Sequence, residues 1–150
     1  ARVIGITRPT KSAEVVRLGA AQTLAREANL VQELGKNSVD VVIDLVAGTQ
    51  WPALLDVLKP FGRYAVAGAI AGPLVELDIR TLYLKDLSLL GCTVLDKAVF
   101  PTLVKRIEAD EIKPLVAGTF RLSQIIEAQR QFETKEHVGK LVIDISGESE

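Results

Sequence analysis

Short apolar runs alternate with amphipathic stretches along this 150-residue chain, and that alternation constrains its fold more than any other feature. Strands separated by helix-length segments predict parallel pairing, because parallel neighbours need a crossover connection where antiparallel ones need only a turn. The predicted strands are "RVIGIT" (2–7), "QTLAR" (22–26), "VDVVIDLV" (39–46), "GRYAVAGA", "LSLLGCTVL", "VAGTFRL" and "KLVIDI". Between them lie six helical stretches. "KSAEVVRLG" has Ser12 as its N-cap and Gly19 as its stop, and "NLVQELG" puts Leu30, Val31 and Leu34 on one face. "TQWPALLDVLKP" takes Thr49 as its N-cap, with Pro52 tolerated in the first turn. "DIRTLYLKD", "PTLVKRIEAD" (starting at Pro101) and "SQIIEAQRQFE" complete the set, and "SGESE" reads as a polar tail. The run 39–46 is apolar except at Asp40 and Asp44, as in a strand covered on both faces. The expected class is α/β, a parallel sheet with helices on both faces.

Charge and composition remove several classes of partner. Net charge is -1 with acids and bases interspersed, and no Lys/Arg block reads as a basic arm, so neither nucleic acid nor an anionic membrane surface is expected. The longest apolar run, 65–75, carries two glycines and a proline and is too short to span a bilayer. "ARVIGIT" lacks the basic, apolar and small-residue order of a signal peptide. One cysteine, Cys92, leaves no internal disulfide and no cysteine-rich zinc site, which favours a reducing, cytoplasmic compartment.

Parallel α/β sheets bind ligands at the carboxyl ends of their strands. At "ITRPTKS", a dinucleotide fold selective for NAD would place an acid against the adenosine ribose. Thr7 is neutral there, and Arg8 and Lys11 suit a 2′-phosphate. Two readings stand: an NADP site, or ordinary solvated loop charges. "LVAGT", "VAGAIAG" and "LGCTV" end in small residues that let a flat ring approach the backbone. Singly, Gly48, Gly68 and Gly91 fit tight packing equally well; together they favour a cofactor crevice. Asp44 reads as a buried, hydrogen-bonded carboxylate, Asp40 as the start of its strand, His137 as a turn residue and Cys92 as a core residue on its strand. The sequence holds no Ser-His-Asp set, no spaced metal cluster, no glycosidase-like carboxylate pair and no phosphate loop of the G-x-x-x-x-G-K-[ST] kind.

The ordered stretches "ARVIGITR…AEVVRLGA", "VDVVIDLVAG", "LLDVLKPFGRYAVAGAIAG", "LSLLGCTV" and "EHVGKLVIDI" resemble the medium-chain dehydrogenase/reductase superfamily. The quinone-reductase and zinc-type alcohol dehydrogenase branches are the most similar. The resemblance runs from the second strand of the family's cofactor domain and implies a Rossmann-like sheet lacking its first strand and Gly-rich turn. It implies that Thr7, Arg8 and Lys11 surround the adenosine ribose and its phosphate. By the same resemblance Val46, Ala47 and Gly48 would line the cofactor ribose, and Gly68, Ala69 and Ile70 would present backbone to the nicotinamide. Cys92 and Thr93 lie near its carboxamide, and Lys140 reaches a phosphate. It further implies a homodimer through the edge strand from Leu87 to Leu95. Residues 1–115 become a partial dinucleotide-binding domain, and 116–150 a tail that in the family packs on the catalytic domain. In the family's strand order the missing first strand is central, so the chain is expected to be a fragment of a protein about twice as long. Zinc enters only through the absent N-terminal domain.

The leading expectation is therefore the cofactor-binding portion of an NADPH-dependent oxidoreductase. Hydride would pass between nicotinamide and a small-molecule carbonyl, quinone or activated alkene, and the chain alone would be inactive. The alternative is a non-catalytic nucleotide-binding or oligomerisation module. A methyltransferase-type domain shares the alternation but needs a Gly-rich first loop absent here, and the "HVGKLVIDI" ending counts against it.

Overall fold

A computed structural model describes residues 1–93 and 96–146. They form two compact units, one from Arg26–Asp96 and one from the described residues of Ala1–Ala25 and Lys97–Glu150. Among the described residues all strand pairs are parallel, as the alternation predicts, and they form three separate ladders.

In the discontinuous unit, β1 (Ile4–Thr7) pairs with β2 (Gln22–Ala25) through the crossover helix α1 (Ser12–Arg17). The helix sits close on the strand because Gly5 has no Cβ, which would lie 2.9 Å from Val15 Cγ1. Ser12 is the first residue of α1, not its cap: Pro9 starts a 3-10 turn at Pro9–Lys11 that brings helical geometry forward. Its hydroxyl bonds Thr23 Oγ1 on β2 instead. Gly19, at φ +109, ends the segment as expected. The same unit holds α5 (Val99–Glu108) and the pair β6 (Val116–Arg121) and β7 (Lys140–Asp144), joined through α6 (Ile125–Thr134). Pro101 falls inside the first turn of α5, which starts two residues earlier than expected.

The continuous unit carries the ladder β3 (Val39–Asp44), β4 (Leu58–Val66), β5 (Ser88–Gly91), with helices α2 (Leu30–Leu34), α3 (Trp51–Val57) and α4 (Ile79–Leu84). Asn29 and Asp78 cap α2 and α4 with side-chain oxygens on the Gln32 and Arg80 amides. Thr49 does not cap α3: left-handed backbone at Ala47 (φ +54) and Gly48 (φ +74) turns the chain early, leaving Thr49 inside a 3-10 turn. The far end of α3 is closed from a distance, where Lys85 Nζ donates to Leu55 O (2.8 Å) and Asp56 O (3.1 Å). Desolvation there pushes the Lys85 pKa below its ordinary value.

The core of this unit includes Leu30, Val42, Trp51, Leu54, Leu55, Val57, Leu58 and Tyr64. Fully burying one such side chain contributes about 1.5–3 kcal/mol. β3 corrects an expectation. It alternates instead of being covered on both faces: Val42 and Asp44 are buried, whereas Val41 is exposed and Ile43 is 77% exposed. Among the described residues, only the face bearing Val42 and Asp44 is covered. β5 ends at Gly91, so Cys92 follows the strand and is exposed, not a core residue. Val94 and Leu95, the end of the expected dimer edge, lie outside the described residues, as does most of the "SGESE" tail. No described helix is long and apolar enough to cross a membrane.

Candidate functional site

The candidates fall into two groups, one in each unit. In the discontinuous unit, Thr7 closes β1 and Arg8 and Lys11 follow it directly. Neither cation is a free loop charge. Arg8 Nη2 donates to Lys135 O (2.6 Å) and Lys11 Nζ to His137 O (2.7 Å). Both side chains therefore converge on one short loop between α6 and β7. That loop begins at Lys135, whose left-handed backbone (φ +56) ends α6. His137 belongs to it, as the sequence predicts. Among the described residues, Arg8 Nε and His137 Nδ1 are buried without a hydrogen-bond partner, an unusual cost unless something else meets them. The loop also rims an open groove of about 810 Å³ that includes Arg130 and Gln131. Lys140 opens β7, its amide bonded to Leu115 O (2.8 Å) and its side chain exposed.

In the continuous unit, the expected small residues form two interlocked loops at the carboxyl ends of β3 and β4. The Ala67 amide donates to Asp44 O and the Ala71 amide to Val46 O, both at 2.9 Å. A Cβ on Gly68 would lie 2.6 Å from Leu45 O, and one on Gly48 would lie 2.8 Å from Ala71 O. These two glycines are required by the backbone approach itself. Gly91 is not, since a Cβ there meets open space. Cys92 stands beside the pair through its amide, bonded to Val66 O (2.9 Å), and Thr93 follows it. Ile70 is 82% exposed at the tip of the second loop.

Asp44 is the buried, hydrogen-bonded carboxylate read from the sequence. It is 6% exposed, its Oδ1 accepts from the Val46 amide (2.7 Å) and the Ala47 amide (3.0 Å), and its Oδ2 accepts from the Tyr64 hydroxyl. Tyr64 is a partner that the local sequence around Asp44 does not indicate. Its signal lies in the β3–β4 register, which pairs Val42 with Tyr64 and so places Tyr64 on the face that Asp44 shares. Trp51 stands edge-on to Tyr64 at 4.8 Å between centroids, and its indole nitrogen is buried without a partner among the described residues.

Burial, then the hydrogen bond to Asp44 and its charge, raise the Tyr64 pKa above the ordinary 10.0. Above pH 10.0 the unfolded chain gives up this proton while the folded chain keeps it, so stability falls as pH rises. Denaturation midpoints followed from about pH 8 to about pH 11.5 are expected to drop in the alkaline range, less steeply in Tyr64→Phe. Equal slopes in both proteins contradict the assignment.

Among the described residues, no group of three or more His, Cys, Asp or Glu is placed to hold a metal ion. In the continuous unit the loops bring backbone into close approach, and in the discontinuous unit Arg8 and Lys11 converge on one loop beside buried nitrogens that lack a partner among the described residues.

A sequence model of zinc-binding dehydrogenases matches residues 15–143. The acryloyl-coenzyme A reductase of Metallosphaera sedula is 28% identical over 145 residues, covering 95% of this chain and 43% of that protein. The crystal structure of a Sinorhizobium meliloti 1021 protein provisionally classed as an alcohol dehydrogenase is 42% identical, with a TM-score of 0.82 over 96% of this chain and 42% of its own. A cobalt- and zinc-bound thermostable alcohol dehydrogenase from Pyrobaculum aerophilum is 31% identical, with a TM-score of 0.75 over 95% of this chain and 42% of its own. The chain thus spans less than half the length of each of these relatives.

Proposed function

The chain belongs to the zinc-binding dehydrogenase family, and on that footing we propose that it is the cofactor-binding portion of an NADPH-dependent oxidoreductase. The reaction moves hydride between the nicotinamide and a carbonyl, quinone or activated alkene. The bound cofactor supplies the hydride chemistry, and this chain's residues bind and orient it. Thr7, Arg8 and Lys11 hold the adenosine ribose and its phosphate, with Lys140 on a second phosphate. The turn Val46, Ala47, Gly48 lines the other ribose. Gly68, Ala69, Ile70, Cys92 and Thr93 give the ring a close wall and keep water from it. Residues 1–115 carry most of these contacts, and 116–150 pack on the remainder of the full-length protein. β5 has a partner on one edge only among the described strands, which supports pairing of two copies along the Leu87 to Leu95 segment.

One observation carries the NADP preference. Arg8 and Lys11 are drawn to one loop beside a neutral Thr7, and each cation keeps donors beyond the one it spends on a carbonyl. Full-length protein titrated with NADPH and NADH is expected to bind NADPH at least about 10-fold tighter, the scale of one or two charge-assisted phosphate contacts. Arg8→Ala is expected to close most of that gap while leaving NADH binding nearly unchanged. Equal affinities in the wild type overturn the preference.

A further inference from the structure

We propose that Asp44 is a positioning residue for the cofactor: its buried carboxylate, anchored by the Tyr64 hydroxyl, holds the Val46, Ala47, Gly48 turn in a conformation that Ala47 does not favour on its own. The inference rests on the reading that this turn lies against the cofactor.

Ala47 adopts φ +54 and ψ -145, a region open to glycine and strained for a residue with a Cβ. Left alone, the turn would relax. Three contacts resist this. Asp44 Oδ1 takes both the Val46 and the Ala47 amides, fixing the two successive peptide groups that lead into Ala47. The Val46 carbonyl is spent on the Ala71 amide. Asp44 in turn cannot swing away, because Oδ2 is bound to a phenol that is fully buried and wedged edge-on against Trp51.

The chain thus carries a rigid chain of contacts from Trp51 through Tyr64 and Asp44 to the turn. A carboxylate is suited to this post because it accepts on both oxygens at once, and bonds to a charged acceptor are stronger than neutral ones. What the arrangement supplies is a turn already shaped before the cofactor arrives, which removes an ordering cost from binding. Asp44 itself is 6% exposed and its oxygens face the protein's own donors, so it acts through the turn and touches no ligand.

The test is a double-mutant cycle on dinucleotide affinity in full-length protein, read by NADPH fluorescence. Asp44→Ala is expected to weaken binding about 10- to 100-fold, the scale of one or two lost charge-assisted hydrogen bonds. In the Ala47→Gly background, where the turn no longer needs holding against a Cβ, the same substitution is expected to cost about threefold or less. Asp44→Asn keeps one acceptor oxygen for the two amides and is expected to recover most of the loss. Should Asp44→Ala not fold, Tyr64→Phe carries the same cycle, with a smaller loss that Ala47→Gly likewise suppresses. Wild-type protein that binds neither NADPH nor NADH ends the cofactor reading and this inference with it. Wild-type binding that Asp44→Ala leaves intact, or weakens equally in both backgrounds, overturns this inference alone.

Discussion

Gly68→Ala is expected to destabilise the continuous unit by about 2–3 kcal/mol, near the upper end for an overpacked site, and to abolish measurable dinucleotide binding. The added Cβ would stand 2.6 Å from Leu45 O, well inside contact distance. What makes the clash costly is that neither side yields. The peptide groups flanking Leu45 are both tied to the loop that carries Gly68, Asp44 O to the Ala67 amide and Val46 O to the Ala71 amide. Moving the Leu45 carbonyl therefore breaks the bonds that keep the two loops together. Gly91→Ala is the matched control, since its Cβ enters open space. It is expected to stay within about 0.5 kcal/mol of wild type. Urea midpoints for the three proteins, with NADPH titrations alongside, decide the matter. A Gly68→Ala midpoint equal to that of Gly91→Ala would show that the loops part easily and are no built wall.

That contrast also marks where the sequence is legible. The type and order of the elements follow from period: β-branched runs such as "RVIGIT" and "KLVIDI" alternate with helical spacing, and the structure has strands and helices in that order. Asp44 is legible because an acid set between apolar residues well inside a strand has to be bonded or neutralised. Its partner is not, since Tyr64 lies twenty residues on and meets it only through the β3–β4 register. Two helices start away from their capping chemistry for a local reason. Ser12 and Thr49 have the right chemistry for caps, but a proline in one case and two left-handed residues in the other began the turn before them. Burial at 39–46 is one-sided for a different reason. Hydrophobicity shows which surface is able to be buried, and Val41 and Ile43 are as apolar as Val42 yet lie exposed. Gly48, Gly68 and Gly91 look alike in sequence for a similar reason: what separates them is the backbone opposite, which one-dimensional spacing does not record.

Leu58→Ala is expected to cost about 3 kcal/mol, against about 0.5 kcal/mol or less for Ile43→Ala, although both remove aliphatic carbon from a strand of the same sheet. Leu58 is 0% exposed where α3 runs directly into β4, and it is register partner to Val39. Its side chain also fills the space beside Gly62, whose absent Cβ would lie 3.0 Å from Leu58 Cδ2. Truncation of a side chain with no exposure leaves a cavity in the core, so the loss is expected in the middle of the 2–5 kcal/mol range for such changes. Ile43 is 77% exposed and loses little by truncation. Trp51, the single tryptophan of the chain, reports on both, since its ring is buried in the same core. Fluorescence-monitored urea unfolding is expected to show a lower midpoint for Leu58→Ala at an unchanged slope, and a wild-type curve for Ile43→Ala. An equal loss in the two variants would mean that the exposed face of β3 is buried in solution. The alternating burial seen along that strand would then describe the chain only in the absence of whatever covers it.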